Sequence, residues 1–272
     1  ETTVSVQHEL MPGFSVTGGY YHRDFQNITI TRNLLVDPDL DYTAFTITGP
    51  RDARLPNGGG EVITQYNLLP SKLGQSDSVS TFSTENTRVY DGVEVSVRGR
   101  LPRGGFLLGG VTTERTATAT CDVADPNSRR FCDQAPPFRT LYKLSGAYTL
   151  PYQVQLSGSL QAIPGASIAS NFTYNSAVAG VVLTGGGNRT VNLVEPDTMF
   201  YDYETQLDLR GSRTFRFGNK RLQPFMDVFN LLNSSSVVSV NTTFTNSAAN
   251  NWLRPLVITQ ARRFQFGARL DF

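Results

Sequence analysis

The sequence predicts an all-β fold, an antiparallel up-and-down portion of a transmembrane β-barrel. Apolar and polar residues alternate in nine segments of the chain, which is typical of strands because successive side chains point to opposite faces. Short turns and long polar connections alternate between these segments, and membrane barrels likewise have short periplasmic turns and long outer loops. The last segment, "RFQFGARLDF", alternates to its end and stops on an aromatic residue, as a strand ending at a membrane interface does.

The composition excludes a helical membrane protein and points to no nucleic-acid partner. The 272 residues include 24 Lys plus Arg and 23 Asp plus Glu, a net charge of +1, and the basic residues form no run. No stretch approaches the ~18 consecutive apolar residues of a membrane helix. Mean hydropathy is −0.24. A barrel remains compatible with these values, since its strands need only one apolar face.

The nine predicted strands are long and keep a period of two residues. In "GVEVSVRGRL", Val93 and Val95 alternate with Glu94 and Ser96. Such segments exceed the ~5–6 residues of a usual strand. The predicted strands are residues 2–10, 14–30, 87–101, 106–120, 139–149, 153–164, 199–216, 221–233 and 255–272.

Two kinds of connection join these strands. The tight turns carry Pro, Gly or Asn, as short reversals require, and lie at residues 11–13, 102–105, 150–152 and 218–220. The long connections are predicted to be polar loops and cover residues 31–86, 121–138, 165–198 and 234–254. If the first turn is periplasmic, the last strand runs towards the periplasm. We therefore treat residues 1–272 as a single barrel region.

The alternation assigns side chains to lipid and to lumen. The residues predicted to face lipid are Val93, Val95, Val97, Phe264, Phe266, Leu270 and Phe272. The polar residues predicted to line the lumen, with cross-strand ion pairs among them, are Glu94, Arg98, Arg100, Asp202, Glu204, Asp208, Arg210, Arg263 and Arg269. A soluble β-sandwich, such as a secreted carbohydrate-binding module, also alternates, and its apolar face would be core. Strand length and the regular order of short and long connections favour the barrel.

The two cysteines are predicted to form a disulfide. Cys121 and Cys132 flank a segment rich in Asp, Pro, Asn, Ser and Arg, and a disulfide that closes such a loop is expected in an oxidising compartment. A metal site would need more ligands than His8 and His22, the only histidines. A reactive thiol pair is the other alternative.

Few residues suggest a metal or catalytic site. Asp37, Asp39 and Asp41 have the spacing that opens a calcium loop. The EF-hand pattern then requires Gly at the position of Tyr42 and Glu at the position of Thr48. An acidic surface loop is therefore the favoured interpretation, and a calcium site of another type is the weaker one. No hydrolase or metalloprotease motif occurs, and we expect no enzyme activity and no cofactor.

The eighth strand carries a resemblance to a known family. "RLQPFMDVFNLLNSSSV" resembles the penultimate strand of TonB-dependent outer-membrane receptors, and "YETQLDLRGSRTFRFGNKRL" resembles the hairpin that precedes it. "VSVQHELMPGFSVTGGYYHRDFQNITIT" is similar to a hairpin of the carboxypeptidase-regulatory-like, Oar-type branch. The resemblance implies a 22-stranded barrel with an amino-terminal plug in the bacterial outer membrane. It also implies solute uptake energised by an inner-membrane complex.

The chain departs from that family in size. Nine strands and no plug lead us to expect the carboxyl-terminal part of a receptor barrel, either a processed product or a piece of a longer chain. The expected partners are outer-membrane lipid and the remaining strands or plug. An alternative is a structural surface protein whose copies pair at their edges to form an oligomeric barrel or a fibre. The ligand is not predicted.

Overall fold

The computed structural model describes residues 1–247 and 249–272, in which strands dominate. The strands are β1 (Thr2–Met11), β2 (Phe14–Phe25), β3 (Thr29–Asn33), β4 (Tyr42–Thr48), β5 (Val62–Leu68), β6 (Ser78–Phe82), β7 (Thr87–Leu101), β8 (Gly105–Ala119), β9 (Asp133–Gln134), β10 (Arg139–Leu150), β11 (Val154–Ile163), β12 (Asn171–Tyr174), β13 (Arg189–Asn192), β14 (Glu204–Arg213), β15 (Phe215–Phe217), β16 (Lys220–Phe229), β17 (Val237–Val240), β18 (Thr243–Phe244), β19 (Pro255–Ile258) and β20 (Arg263–Asp271). The helix α1 (Ser176–Ala179) is one turn long, and short 3-10 turns begin at Pro56, Pro70, Pro102, Pro126 and Pro151. None of the helical segments in the described residues has the length and apolar character that a membrane crossing requires.

Nine strands form one large sheet in the order of the chain. Strands β1, β2, β7, β8, β10, β11, β14, β16 and β20 are neighbours in that order, and every pair is antiparallel. The short β15 continues the pairing of β14 along β16, and β9 adds to the end of β8. The predicted antiparallel up-and-down sheet is therefore confirmed.

The short turns all lie at one end of this sheet. They connect β1 to β2, β7 to β8, β10 to β11 and β15 to β16. The first turn contains Gly13 with a φ of 78°, a left-handed conformation that glycine adopts without steric strain. Because the sheet is up-and-down, the four long connections all leave from the opposite end. We call these ends the turn end and the cap end.

Several predicted strands are shorter in the structure. The predicted strand 14–30 divides into β2 and β3, because Asn27 adopts a φ of 56° between them. The predicted strand 199–216 begins only at Glu204, since Tyr201 donates its backbone N–H to Ala166 instead. The predicted strand 221–233 ends at Phe229, where Asn230 takes a φ of 49°.

The last predicted strand, 255–272, is two strands in different sheets. β19 pairs with β17, whereas β20 pairs with β16. Thr259 lies between them and donates its backbone N–H to the carbonyl of Ser236 at 2.9 Å, which diverts the chain away from the large sheet. Regular alternation starts only at Phe264, and the polar residues Gln260, Arg262 and Arg263 separate it from the apolar run of residues 255–258.

The long connections are not merely polar loops, as predicted, but form a folded cap. We define the cap as residues 26–86, 120–138, 164–203 and 230–262. It contains the sheets β3–β6, β4–β5, β13–β12–β18 and β17–β19. The main cluster of buried apolar side chains also lies in the cap and consists of Ile47, Leu55, Ile63, Ile168, Phe172, Tyr174, Ala179, Leu183, Val191, Leu193, Val194, Phe244 and Trp252.

Candidate functional site

The large sheet has two faces of opposite chemistry. Residues paired across neighbouring strands share a face, so the register can be followed from strand to strand. One such row is apolar and comprises Val16, Val97, Gly109, Leu144, Leu160 and Leu207. The adjacent row is polar or small and comprises Gln7, Thr17, Ser96, Gly110, Lys143, Gln161 and Gln206.

The apolar face is exposed from the first strand to the last. Val6 on β1 is 69% exposed, Val95 on β7 is 47% exposed and Phe266 on β20 is 74% exposed. Soluble monomers rarely expose contiguous apolar patches above a few hundred Å². Exposed apolar residues on the intervening strands include Tyr142, Leu144, Leu156, Leu209 and Met226. The sheet therefore presents one continuous apolar surface.

The height of this apolar face matches a barrel's lipid-facing band. On β7 the apolar face carries no charged residue from Val93 to Leu101. These eight steps span about 26 Å along the strand at ~3.3 Å per residue, or roughly 20 Å along the bilayer normal for a strand tilted by ~40°. Lipid-facing bands of barrels are about 25 Å tall.

Charged residues bound the apolar face at the cap end. His22 and Asp91 are register partners on this face, and Arg115 is the partner of Asp91 on β8. The Nδ1 of His22 lies 2.8 Å from Asp91 Oδ1, and its Nε2 lies 3.1 Å from Asp24 Oδ2. Both ring nitrogens therefore contact carboxylate oxygens, and the contact with Asp91 holds the cap ends of β2 and β7 together.

The polar face carries hydroxyl and amide groups together with charged and apolar side chains. A groove of about 760 Å³ crosses β1 to β11 on this side. Its charged residues are Glu94, Arg98 and Lys143. Its other polar residues are Gln7, Ser15, Thr17, Ser96, Thr112, Ser145, Ser159 and Gln161. Such a wall can hydrogen-bond a polar solute or a polar protein surface without selecting strongly for charge.

The register places the predicted residues as follows. The polar face carries Glu94, Arg98, Arg100, Glu204, Asp208, Arg210, Arg263 and Arg269. The opposite, apolar face carries Val93, Val95, Val97, Phe264, Phe266 and Leu270. Two predicted residues lie outside the strands, because Asp202 precedes β14 and Phe272 follows β20. Contact of either face with lipid or a lumen remains a prediction.

One predicted cation makes a cross-strand ion pair on the polar face. The Nε and Nη2 of Arg210 donate to the two carboxylate oxygens of Asp227 at 2.5 and 2.8 Å. The Asp227 side chain is 5% exposed, whereas that of Arg210 is 51% exposed. Arg210 also stacks on the ring of Phe225 at 4.4 Å. That ring covers Gly267 on β20 so closely that any Cβ there would clash. Asp227 and Phe225 are not among the predicted site residues.

The "DVFNLLN" segment organises the cap end of three strands. The backbone N–H of Asn230 donates to Asp208 at 2.8 Å, and its side-chain amide donates to the carbonyls of Ser234 and Gln260 at 2.8 and 2.7 Å. Asn230 is buried and has a φ of 49°, which asparagine tolerates better than most residues. This motif therefore joins β14, β16 and the entry to β20.

The predicted disulfide is present and closes a loop within the cap. Cys121 and Cys132 are bonded, with their Cα atoms 4.9 Å apart. The Asp122 carboxylate accepts hydrogen bonds from Arg32 and Ser83 at 2.5 and 2.6 Å. Asn127 exchanges hydrogen bonds with the backbone of Tyr66 at 2.8 and 2.9 Å. The loop thus holds two parts of the first long connection.

Trp252 connects three of the long connections. Its indole N–H donates to the carbonyl of Ala169 at 2.9 Å, and its own carbonyl accepts from Arg54 at 2.9 Å. Arg54 also donates two side-chain hydrogen bonds to Asp52 at 2.9 and 2.7 Å. These bonds from Arg54 lower the pKa of Asp52 to about 2. Trp252 is 1% exposed and packs against Phe244.

The predicted calcium residues are engaged by protein groups. Asp37 accepts the backbone N–H of Asp39 at 2.8 Å, which forms a local turn. Asp39 pairs with Arg129 at 2.6 Å, and Asp41 pairs with Lys72 at 2.9 Å. The backbone N–H of Asp37, followed by Lys72, lowers the pKa of Asp41. The described ranges contain no group of three or more His, Cys, Asp or Glu arranged to hold a metal ion.

Comparisons with known proteins return structures but no sequence relatives. No protein-family profile matches the chain, and no curated protein matches it. The outer membrane transporter YddB from Escherichia coli is similar with a TM-score of 0.43 at 12% identity, covering 98% of this chain and 31% of that chain.

Two receptor structures match this chain with TM-scores and identities close to those of YddB. The ferric preacinetobactin receptor BauA from Acinetobacter baumannii has a TM-score of 0.40 at 14% identity, covering 98% of this chain and 35% of that chain. The ferric-catecholate import receptor Fiu from E. coli K12, in its closed form, has a TM-score of 0.40 at 12% identity. The match covers 98% of this chain and 34% of that chain. The chain spans about one third of the length of these three structures.

Proposed function

We propose that this chain forms nine adjoining strands of a bacterial outer-membrane β-barrel that acts as a receptor or transporter. The observation that carries the proposal is the apolar face, which continues across the nine strands opposite a polar face. A soluble sandwich would cover such a face with a second sheet. Lipid is the solvent that makes its exposure favourable.

The positions of the connections support the same proposal. In barrels of the outer membrane the short turns face the periplasm and the long loops face outward. The turn end of this sheet then lies at the periplasmic side, and the cap lies outside the cell. Binding sites are commonly carried by loops on a rigid scaffold, so a folded cap fits a receptor better than it fits a passive pore.

The family resemblance extends the proposal to mechanism. The "DVFNLLN" segment and the hairpins that resemble TonB-dependent receptors imply uptake of a solute, with a plug inside the barrel and an energy-coupling complex in the inner membrane. The groove on the polar face would then contact the plug or the passing solute. The chain's own role would be binding and passage, not enzymatic catalysis.

Spin labels on neighbouring residues of β7 test the proposal. The Val95→Cys variant places a label on the apolar face, and the Ser96→Cys variant places one on the polar face as a matched control. The native cysteines are disulfide-bonded and leave the new thiol as the labelling site. In outer membranes, the label at position 95 is expected to collide with dissolved oxygen more than with a water-soluble nickel chelate.

The control label at position 96 gives the oxygen accessibility expected of a residue that does not face lipid. A label at position 96 is expected to show lower oxygen accessibility than the label at position 95. If the label at position 95 were instead reached readily by the nickel chelate in membranes, the apolar face would be in water or in a protein interface. The membrane proposal would then be wrong.

A further inference from the structure

The apolar face contains a groove over its middle strands. Gly146 on β10 and Gly158 on β11 are register partners on this face. Gly211 on β14 lies on the same face, two residues from Leu209, which is the partner of Gly158. A groove of about 440 Å³ runs over these three glycines. Because glycine has no side chain, the floor of the groove is largely backbone.

Apolar side chains form the walls of this groove. Leu107 on β8 and Leu209 on β14 lie on either side of the glycine pair in the same register row. Their strands are three spacings of ~4.8 Å apart, or about 14 Å. Leu156 and Met226 also line the groove, and both side chains are exposed. The groove is therefore open to the surroundings of the apolar face.

The groove lies towards the turn end of the apolar face. On its cap side, β10, β11 and β14 carry the register partners Leu144, Leu160 and Leu207, which have side chains where the glycines have none. β11 starts at the turn end with Val154, four residues before Gly158, or about 13 Å at ~3.3 Å per residue. A hydrocarbon chain in the groove would thus extend from the turn end towards the bilayer centre.

A cation lies between this groove and the turn end. Arg213 follows Gly211 by two residues on the same face of β14, about 7 Å along the strand. Its guanidinium stacks on the ring of Phe215 at 4.8 Å, and Phe215 shares the apolar face because its partner Leu222 also pairs with Leu270. Arg213 is exposed. No carboxylate pairs with it in the part of the chain that the structure describes.

The charges on the apolar face differ between its two ends. At the cap end, the carboxylates of Asp24 and Asp91 lie beside His22. At the turn end, the described strands carry the cations Arg213 and Lys220 on this face and no carboxylate. An anionic group at the membrane surface would therefore complement the turn end and not the cap end.

We propose that the groove binds one acyl chain of a phospholipid from the periplasmic leaflet and that Arg213 contacts its anionic headgroup. The inference rests on the proposed function, which places the turn end at the periplasmic side of the membrane. An acyl chain fills the groove because an unfilled depression forfeits dispersion contacts. The headgroup supplies the counterion that Arg213 lacks in the protein, since cations at a membrane surface attract anionic lipids.

A photoactivatable phospholipid tests this site. The full protein as the cell makes it is reconstituted in phosphatidylcholine bilayers that contain a small fraction of phosphatidylglycerol with a diazirine on its acyl chain. After irradiation, mass spectrometry locates the lipid adducts. We expect the adducts to concentrate on residues 146–158 and 207–213 and to be sparse on the rest of the apolar face.

Two glycine variants separate the groove from ordinary lipid contact. A Cβ at Gly211 would lie 3.7 Å from the nearest side-chain atom, an ordinary contact with Leu156, so Gly211→Leu fills the groove without a backbone clash. Gly18→Leu is the matched control, because Gly18 lies on the same face next to Val95 and a Cβ there has no neighbour within 4 Å. We expect adducts in the groove to fall at least fivefold in Gly211→Leu and to be unchanged in Gly18→Leu.

Two arginine variants test recognition of the headgroup. The measured quantity is the adduct yield from the phosphatidylglycerol probe relative to a phosphatidylcholine probe with the same acyl chain. We expect a preference of about fivefold for phosphatidylglycerol, as one cation at a membrane surface provides. Arg213→Gln should abolish this preference. Arg216→Gln, at the same end but on the polar face, should retain it.

Three results would overturn the proposal. Adducts spread evenly over the apolar face, or equal yields from the two headgroups, would show ordinary lipid contact. Capture of a protein in native membranes by benzoylphenylalanine in place of Leu156 would show that a protein covers the groove.

Spin labels at positions 95 and 96 decide the membrane location separately. A lipid-exposed label at position 95 with evenly spread adducts would retain the membrane proposal and reject the phospholipid site. A water-exposed label would reject both.

Discussion

The backbone N–H of Asn230 donates to the carboxylate of Asp208 across neighbouring strands at 2.8 Å. The bond lies where β16 leaves the sheet, and the Asn230 amide extends it to the carbonyls of Ser234 and Gln260. One residue therefore determines where the strand stops and how the connection to β20 begins.

Replacing this asparagine should destabilise the cap end of the sheet. We expect Asn230→Ala to lower the free energy of unfolding by about 1–3 kcal/mol, since buried carbonyls lose their donors and alanine is strained at positive φ. Thermal denaturation in detergent would measure the loss. Asn188→Ala, at an exposed position, is the control and should change stability little; equal losses would assign no special role to Asn230.

The Arg210–Asp227 pair should respond unequally to removal of its two partners. Arg210→Ala leaves a buried carboxylate without its cation, whereas Asp227→Ala leaves an arginine that already reaches solvent. Because unpaired buried charges are costly, we expect the arginine variant to lose more stability, with a difference of about 1–2 kcal/mol after allowance for solvent screening. Midpoints of thermal unfolding would compare them. A larger loss in Asp227→Ala would contradict this account.

Charge on the two faces of β7 should have opposite consequences. At Val95 an arginine would enter the apolar face, and we expect a loss of about 2–4 kcal/mol in folding from lipid-embedded states. Ser96→Arg, one residue further on the polar face, should be tolerated. Urea titration of protein folded into liposomes provides both values. Similar stabilities for the two variants would show that the faces have the same surroundings.

Acid should weaken the cap through Asp52. Its folded-state pKa of about 2 lies below the usual ~3.9 of an unfolded aspartate, so ionised Asp52 stabilises the folded cap above about pH 4. This contribution is lost as the pH falls from about 4 through 2. The single tryptophan, Trp252, contacts Arg54, and its fluorescence can follow cap unfolding with pH. In Asp52→Asn this part of the pH dependence should disappear and neutral-pH stability should fall.

Loss of the disulfide should loosen the first long connection. The double variant Cys121→Ser/Cys132→Ser frees the loop that holds Arg32, Ser83 and Tyr66. We expect cap stability to fall by about 2–4 kcal/mol and protease cleavage within residues 26–86 to accelerate. The connection at 230–262 serves as the internal control. Unchanged cleavage of residues 26–86 would show that the non-covalent contacts suffice.

Sequence patterns predicted the sheet well because each strand is described by its own alternation. The nine strands, their order and the faces of Val95 and Arg98 follow from a period of two residues and from the positions of short turns. The predicted strand 255–272 joined an apolar run, residues 255–258, to the alternation that starts at Phe264, and so it did not contain the break between β19 and β20. Its cause is a hydrogen bond to Ser236, which is distant in sequence.

The cap could not be predicted for a related reason. Its core residues, such as Ile63, Phe172 and Trp252, come from three connections that strands of the large sheet separate in sequence. No local period groups them, and only the tertiary fold brings them together. The Cys121–Cys132 bond was predictable because two cysteines allow one pairing within the chain. Asp227 is absent from the predicted lumen-facing residues, although its position between Met226 and Val228 places it on the polar face.

The composition of the cap's core sets an order for biogenesis. Side chains from three connections meet at Trp252, and each connection is held at both ends by strands of the large sheet. The chain entropy lost on closing these loops is smallest once the flanking strands are paired. Assembly therefore finishes with the cap, and burial of the lone tryptophan is a natural spectroscopic marker of the completed fold.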